Sequence, residues 1–566
     1  MRTWKGLIGV LFVVGPAIAA ASTTSAISAE AAAGRPRIVN IINFIRGIEP
    51  RSNVDLLEPV RQQIRLVHQY KLPATFLVQY DALTQERFAK LLRTELTDRE
   101  EVGAWLEVVQ PQVEAAGLKW RGRFPWDWHT DVGFTIGYTP AERERLVDVY
   151  MREFEKAFGR RPKSVGCWLL DAPTLAYLAE KYGVTAACIC KDQTGTDGYT
   201  LWGGYWNQAY YPSRLNGFMP AQTAAGQISV PVFRMLGSDP IYQYDTGLGE
   251  AAQGVVTLEP VYAGSAGGGG RPDWVRWFFD TTFRSPCLAF AYAQVGQENS
   301  FGWPLMEKGL TDQVRLLADL ARAGDVRVET LGESGRWFRE RFRRTPATAV
   351  TAIKDWKHEG RASVWYDSRH YRVNFFWDKS GFRIRDIHFF DERYPERYLR
   401  ERVTTQACTY DTLPVLDGFT WSTKEHVAGI RPVWGPQGLE SGPKPLRTGK
   451  PTVTEAGPDA LRITMPLEIG GRLEIRCEPS TLTFEVTGGP KAVAWGLEMS
   501  WAPTKTVPIV RIDADRIHYR HNGFDYCLRC RNGALSAAGK ASTVMLAPVD
   551  KRLVLDMSVG PPERGE

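Results

Sequence analysis

Acidic side chains follow several of the buried, β-branched runs in this sequence. Asp171 and Glu298 each come shortly after such a run, and Glu107 and Asp192 stand at the ends of two others. Hydrolysis of a glycosidic bond needs two carboxylic groups, one protonated to release the leaving oxygen and one ionised as nucleophile or base. Repeated carboxylates of this kind therefore suit general acid–base chemistry.

Two segments between these runs are rich in aromatic residues. Six aromatic residues fall between Tyr199 and Tyr211, and a second segment reads Trp126-Asp127-Trp128-His129. Flat rings interleaved with amide and carboxylate groups are what recognition of a sugar needs. The candidate contact residues of these segments are Trp126, Asp127, His129, Trp202, Tyr205, Trp206 and Asn207.

Each of these candidates also has a structural alternative. Asp171 precedes Ala-Pro-Thr and suits a helix N-cap. Glu107 suits an ordinary ion pair, Asp192 suits a turn, and His129 suits a structural neighbour of the tryptophans. The aromatic residues of the longer segment could bury one another instead of contacting a ligand.

The elements that must position these residues alternate between strand and helix over residues 34–346. The predicted strands are 37–45, 74–78, 102–106, 164–170, 184–190, 228–236, 288–295 and 326–330. The predicted helices include one capped by Asp55, one that Thr139 starts and Gly159 ends, one over 173–181 and one over 311–323. Strands that are continuously apolar predict a parallel sheet, here an α/β fold with a (β/α)7–8 parallel barrel. The active site of such a barrel lies at the carboxyl ends of its strands.

Residues 347–566 show a different pattern. Helical periodicity vanishes, and short alternating runs such as 461–465 and 473–476 lie between Gly and Pro turns. This pattern predicts an antiparallel β-sandwich. Because no linker rich in Pro, Ser or Thr separates the two halves, we expect them to share a packed interface.

Composition and the N-terminus limit the function classes. The 70 basic and 64 acidic residues leave a net charge of +6, too weak a bias to predict nucleic-acid binding. Residues 1–33 predict a signal peptide and tether, with Arg2 and Lys5 before an apolar run over 7–14 and Ala-Ile-Ala at 17–19. We therefore expect an exported, periplasmic or extracellular protein without integral membrane association. The spacing of the eight cysteines favours buried free thiols, with one or two disulfides or a zinc site as alternatives.

Two motifs resemble the polysaccharide deacetylase fold within the glycoside hydrolase/deacetylase barrel superfamily. They are Lys71-Leu-Pro-Ala-Thr-Phe-Leu-Val78 and Glu101-Val-Gly103, and the resemblance covers roughly residues 37–330. Those deacetylases carry an Asp-Asp pair after strand one and a metal-binding His-x-x-x-His after strand three. This chain has Asn43-Phe44 and Arg46 at the first place and 107–111 without His at the second. The resemblance thus implies the fold without its metal ligands.

The same barrel resembles family-57 glycosidases, which use no metal. There the nucleophile follows strand four and the acid/base follows strand seven, and Asp171 and Glu298 occupy the matching ends with the Asp and Glu types exchanged. The resemblance implies Asp171 as nucleophile and Glu298 as acid/base. Family-38 enzymes are also similar, but the His-x-Asp that helps to hold their zinc is missing after strand one.

Together these observations predict a secreted glycoside hydrolase that acts on a poly- or oligosaccharide with two carboxylates, and without metal or other cofactor. Besides the residues of the aromatic segments, the predicted substrate contacts are Trp105, Glu107, Trp168, Asp192 and Gln294. The alternatives are a non-catalytic carbohydrate-binding protein on a degenerate barrel and a polysaccharide deacetylase with rearranged ligands.

Overall fold

A computed structural model of the protein describes residues 35–435, 438–439, 442–489, 494–537 and 542–558. The predicted signal peptide and tether, residues 1–33, lie outside the described residues. Within the described part of the chain, no helix is both long and apolar enough to cross a membrane.

The first half folds into a barrel of parallel strands. Its strands and the short strands among them are β1 (Arg37–Ile45), β2 (Ala74–Val78), β3 (Glu100–Trp105), β4 (Ser164–Gly166), β5 (Ala186–Ile189), β6 (Gln193–Thr196), β7 (Tyr199–Trp202), β8 (Ala209–Tyr210), β9 (Val232–Arg234), β10 (Ala291–Val295) and β11 (Arg327–Glu329). The strand order is β10-β1-β2-β3-β4-β5-β9-β8, and β11 also pairs with β1. Every neighbour pair is parallel except β8 with β9, so the predicted parallel barrel is confirmed.

One side-chain contact spans the two strands that lie on either side of the gap in this sheet. The backbone N–H of Leu236, just after β9, donates to the side-chain oxygen of Gln294 on β10, 2.8 Å away. The side-chain amide of Gln294 donates in turn to the Val295 carbonyl at 2.7 Å. Gln294, predicted as a substrate contact, is buried and serves barrel closure instead.

Helices connect the barrel strands. They are α1 (Leu57–Tyr70), α2 (Tyr80–Leu83), α3 (Glu86–Glu95), α4 (Gln110–Ala115), α5 (Thr130–Gly133), α6 (Pro140–Phe158), α7 (Ala172–Tyr182), α8 (Pro272–Arg284), α9 (Trp303–Arg322) and α10 (Leu331–Arg341). The predicted capping box of Thr139 and Glu142 opens α6, and Gly159 ends it in the left-handed conformation. The helix expected from residue 311 begins at Trp303 instead, because Pro304 lies in its first turn.

The second half consists of antiparallel sheets, as predicted. Its strands are β12 (Thr348–Ala352), β13 (Ala362–Asp367), β14 (Tyr371–Asp378), β15 (Gly381–Phe389), β16 (Cys408–Asp411), β17 (Leu413–Asp417), β18 (Gly429–Gly435), β19 (Lys444–Pro445), β20 (Thr452–Glu455), β21 (Leu461–Pro466), β22 (Arg472–Glu478), β23 (Thr481–Thr487), β24 (Ala494–Ser500), β25 (Ile509–Ile512), β26 (Arg516–His521), β27 (Phe524–Asn532), β28 (Ala534–Ala537), β29 (Thr543–Ala547) and β30 (Arg552–Asp556). One sheet has ten strands, in the order β12-β13-β14-β15-β18-β24-β29-β28 with β17 and β19 alongside. The other runs β20-β21-β22-β23-β30-β27-β26-β25.

The two halves are joined by shared structure as well as by the chain. Strand β16 of the second half pairs in parallel with β7, which belongs to the loop after β5. The two halves also share buried ion pairs. The guanidinium of Arg372 donates two hydrogen bonds to Asp386, at 2.8 and 2.9 Å, and also contacts Asp192. Asp192 pairs with Arg234 of β9 at 2.7 Å. Since all four side chains are buried, their charges balance one another across the interface.

We expect Arg372→Gln to lower the free energy of unfolding by about 3–5 kcal/mol, because it leaves buried carboxylates without their partner. Denaturant unfolding of the full chain measures this. Arg520→Gln is the matched control: Arg520 pairs with Asp525 at 2.7 Å, but its side chain is 62% exposed. It should cost less than about 1 kcal/mol. Equal losses in the two variants would contradict the prediction.

Candidate active site

A cavity of about 820 Å³ opens at the carboxyl ends of the barrel strands. Its charged lining includes Arg46 after β1, Lys191 after β5 and Glu298 after β10, together with Glu259 from the long connection between β9 and α8. The aromatic residues of its wall are Trp126, Trp128, Trp168, Tyr199, Tyr262 and Phe301. The second half contributes two residues, Gln406 and Ala407, to the same lining.

Arg46 is the fixed cation of this cavity. Its guanidinium donates two hydrogen bonds to Glu107, both at 2.9 Å, and contacts Glu298 at 3.1 Å. The guanidinium carbon of Arg46 lies 4.2 Å from the ring centroid of Trp126, in cation–π geometry. Burial alone would lower the pKa of Arg46, but the charges of Glu107 and Glu298 outweigh it and raise the pKa further above its usual value. The side chain therefore stays charged.

Glu298 is held between this cation and a hydroxyl group. Ser300 donates to one carboxylate oxygen at 2.6 Å, and Arg46 donates to the same oxygen. The other oxygen lies 3.1 Å from Arg46 without hydrogen-bond geometry, and it has no hydrogen-bond partner in the described structure. Burial raises the pKa of Glu298, while the charge of Arg46 and the Ser300 hydrogen bond oppose that shift.

Glu259 is the second buried carboxyl group of the cavity. Burial raises its pKa to about 7, against the opposing effects of the Thr257 hydroxyl and the charge of Lys191. Thr257 donates to it at 2.8 Å, and Gln297 approaches at 3.5 Å. At neutral pH this group is therefore close to half protonated, which is the state that a general acid needs.

Lys191 lies beside Glu259 with few partners. Its ammonium donates to the carbonyl of Asp192 at 3.2 Å. Burial lowers its pKa, and the neighbouring Cys190 and Glu259 oppose the shift. The cavity floor therefore combines two carboxyl groups of raised pKa with two buried cations.

Close backbone packing holds Glu259 in place. The side chain of Gln313 on α9 donates to the Leu258 carbonyl at 2.8 Å and to the Gly269 carbonyl at 2.7 Å. The Gly269 N–H donates to the Thr257 carbonyl at 2.8 Å. A Cβ atom at Gly269 would lie only 1.9 Å from the Leu258 oxygen, so this approach requires glycine.

The structure places Asp171, the predicted nucleophile, outside the cavity lining. It is the N-cap of α7, where it accepts from the Thr174 N–H at 2.9 Å and pairs with Arg143 at 3.0 Å. The Thr135 hydroxyl donates to it at 2.6 Å, and the side chain is fully buried. The geometry thus favours the N-cap alternative, because both carboxylate oxygens are already bound within the protein.

Four predicted sugar contacts in the aromatic segment after β5 do not reach the cavity. Trp202, Tyr205, Trp206 and Asn207 are at most 8% exposed, and none of them lines the cavity. Trp206 stacks on Trp365 of the second half with ring centroids 3.7 Å apart. This part of the prediction is corrected: the rings pack between the two halves.

The remaining predicted contact residues fall into two groups. Trp126, His129 and Trp168 line the cavity, and their contact with a substrate stays a prediction. The others lie behind the lining: Trp105 donates to Glu107 at 2.8 Å, and Asp127 binds Arg123 through both oxygens. Glu107 and Asp192 take part in the buried ion pairs with Arg46 and Arg372. These four side chains thus position others, which corrects their predicted contact with substrate.

Sequence reasoning missed Glu259 and passed over Lys191. Glu259 lies in a long connection with no strand end beside it, so its sequence carries no signal of its position. Lys191 directly follows a predicted strand, but lysine at a strand end is not distinctive. Only the packing of Gly269 against Leu258 brings Glu259 to the floor.

The metal of the deacetylases does not fit this floor. Arg46 follows the strand where those enzymes carry aspartates, and its guanidinium already fills the space between Glu107 and Glu298. Across the described residues, no group of three or more His, Cys, Asp or Glu side chains could hold a metal ion. All eight cysteines are free thiols, and seven of them are buried. Independence from metal remains a prediction.

Comparison with known proteins finds a similar structure but no family or curated protein that matches the sequence. No protein-family model and no curated protein matches the sequence. A protein of Parabacteroides distasonis, provisionally described as a glycoside hydrolase/deacetylase, is similar in structure at 17% identity and a TM-score of 0.51, over 67% of this chain and 90% of that one. This likeness shows that the two chains share a fold.

Two further structures are similar over about half of this chain. A protein of Mycobacterium smegmatis, provisionally described as a polysaccharide deacetylase, has 12% identity and a TM-score of 0.33, over 54% of this chain and 91% of its own. A family-57 branching enzyme of Thermococcus kodakaraensis has 13% identity and a TM-score of 0.26, over 55% and 71%.

The raised pKa of Glu259 predicts a pH-dependent effect of Glu259→Gln on stability. The unfolded chain ionises this group near pH 4.5 and the folded chain near 7, so the wild type loses stability between these values. Glu259→Gln lacks that loss. Relative to the wild type, its free energy of unfolding should therefore rise by about 3 kcal/mol between pH 4 and pH 8. Denaturant unfolding at both pH values measures it. A difference independent of pH would contradict the assignment.

The close approach at Gly269 predicts that Gly269→Ala displaces Leu258 and with it Glu259. We expect a loss of about 1–3 kcal/mol in the free energy of unfolding. Gly264→Ala is the matched control in the same glycine-rich segment, because the nearest atom to its Cβ would lie 4.0 Å away. Thermal unfolding of both variants tests this, and equal stability of the two would show that the contact at Gly269 is unimportant.

Proposed function

We propose that this protein is a glycoside hydrolase in which Glu259 and Glu298 are the catalytic pair. The observation that carries the proposal is the presence of two buried carboxyl groups of raised pKa on the floor of an aromatic-walled cavity. The cavity lies at the carboxyl ends of the barrel strands, where enzymes of this architecture carry out their chemistry. Two such groups are what cleavage of a glycosidic bond requires.

The environments of the two groups suggest their roles. Glu259 has a pKa of about 7 and no arginine partner, so it can deliver a proton to the leaving oxygen near neutral pH. Glu298 faces Arg46 and accepts from Ser300, contacts that stabilise a carboxylate. Glu298 therefore acts as nucleophile or base. This assignment differs from the sequence prediction, in which Asp171 was the nucleophile and Glu298 the acid/base.

Aromatic and polar side chains around the floor suit a carbohydrate substrate. Trp168 and His129 are half-buried in the cavity lining, where the Trp168 ring offers an apolar surface to the C–H groups of a sugar and His129 offers an edge group for hydroxyls. Because Gln406 and Ala407 also line the cavity, the second half would help to shape the binding site. A poly- or oligosaccharide fits a cavity that is open at one end of the barrel.

Conservative variants test the catalytic pair. Glu259→Gln and Glu298→Gln should each lower turnover by about 10²–10⁴-fold, because each removes proton transfer or nucleophilic assistance. Asp171→Asn is the matched control: it should lower the melting temperature while leaving turnover within about tenfold of wild type, because it weakens a helix cap. Loss of turnover in Asp171→Asn with near-normal turnover in Glu259→Gln would overturn the assignment.

A screen of the full chain against a panel of polysaccharides tests for the activity itself. Release of reducing sugar that persists in EDTA supports the proposal. Release of acetate that requires a divalent metal would favour the deacetylase alternative. Saturable binding with neither product would favour a non-catalytic carbohydrate-binding protein.

We also propose that residues 1–33 direct export. The basic, apolar and small-residue regions of this segment follow the order of a secretory signal. Fractionation of a cell that expresses the full chain, with the N-terminus of the exported form sequenced, tests this. Full-length protein found only in the cytoplasm would contradict it.

A further inference from the structure

A second cavity, of about 510 Å³, lies at the amino ends of the barrel strands, where the two halves of the chain meet. Two of its lining residues precede barrel strands: Pro36 precedes β1, and Ala289 precedes β10. It is therefore at the opposite end of the barrel from the candidate active site. The charged residues of this lining are Arg35, Arg341, Arg343, Arg344, Arg369 and Asp459, and we call it the arginine cavity.

Most of these arginines lack a partner. Arg35 pairs with Glu455 at 3.3 Å. In the described structure, the other four guanidinium groups form no ion pair and no side-chain hydrogen bond, and the Nε atom of Arg369 is buried without a partner. Four unpaired cations beside the single carboxylate of Asp459 leave three positive charges around one cavity.

Arg341, Arg343 and Arg344 are exposed to solvent, whereas Arg369 is half-buried. Burial and the like charge of Arg344 lower the pKa of Arg369, and the charge of Asp459 opposes this shift. By contrast, the fully buried Arg46 and Arg372 each form ion pairs with two or more carboxylates. The arginine cavity therefore offers cations that anions from outside the chain can reach.

The volume of the cavity and the geometry of its guanidinium groups indicate which ligands could supply those anions. A volume of about 510 Å³ is within the ~300–1,000 Å³ range of small-molecule sites. A guanidinium group binds a carboxylate, phosphate or sulfate through two parallel hydrogen bonds, so four of them can serve more than one such group. Phe342 and Pro346 add an apolar surface between the charges.

We propose that the arginine cavity is a second ligand-binding site, for a small ligand that carries two or more oxyanion groups. The site is independent of the proposed catalytic pair, because no residue is common to the two cavities. Its lining comes from the barrel, from the connection over 341–347 and from both sheets of the second half. A bound polyanion would therefore crosslink the two halves and stabilise the fold.

Calorimetric titration and thermal unfolding of the full chain test the proposal with defined probes. The probes are a sugar bisphosphate, a disulfated disaccharide and trigalacturonate, with inorganic phosphate, inorganic sulfate and a neutral disaccharide for comparison. At least one multiply charged probe should bind and raise the melting temperature. It should bind about tenfold or more tightly than its single inorganic anion or the neutral sugar. The probe that binds best distinguishes phosphate, sulfate and carboxylate sources.

The variant Arg344→Gln/Arg369→Gln should weaken this binding by about tenfold or more while the free protein keeps its melting temperature. Arg65→Gln/Arg99→Gln is the matched control, since it removes two exposed arginines from the surface of the barrel. It should leave the affinity unchanged, as should Glu259→Gln. Failure of every probe to bind, or equal weakening in both double variants, would overturn the proposal. Loss of binding in Glu259→Gln would assign the probe to the other cavity.

Discussion

The guanidinium of Arg46 constrains the candidate active site more than any other single group. A buried cation must be surrounded by acceptors, and Arg46 meets this demand with Glu107, Glu298 and the face of Trp126. These contacts fix the carboxylate of Glu298 at the cavity floor.

Burial of aromatic side chains helps to hold the two halves of the chain together. The loop after β5 places Trp202 and Trp206 against the second half, where Trp202 donates to Asp417 at 2.9 Å and Trp206 stacks on Trp365. These rings bury large areas at the interface, which a detached barrel would expose to water. The interface in turn carries Gln406 and Ala407 to the rim of the cavity.

The two cavities differ in how their charges are compensated. In the candidate active site, burial raises the pKa values of Glu298 and Glu259, and the charges of Arg46 and Lys191 oppose that rise. On the opposite side, four arginines face one exposed aspartate. The first arrangement suits proton transfer within the site, whereas the second suits capture of charge from outside.

Local sequence determined the elements of this protein. Continuous β-branched runs such as 37–45 and 74–78 became β1 and β2 with the same bounds, and Thr139 with Glu142 capped α6 as expected. Periodicity and capping act over a few neighbouring residues, so they can be interpreted without knowledge of the fold. The position of Glu298 at a strand end followed from the same reasoning.

Tertiary structure decided which of the polar and aromatic residues reach the cavity. Asp171 and Trp206 have the composition of site residues, yet one caps a helix and the other packs at the interface. Glu259 shows no local signal, and it reaches the floor because Gly269 and Gln313 hold the preceding backbone there. Burial and partner choice depend on contacts between residues that are far apart in the sequence. For that reason the sequence alone determined the barrel and its strand ends. Only the folded chain decided that Glu259 and Glu298 lie in the same cavity.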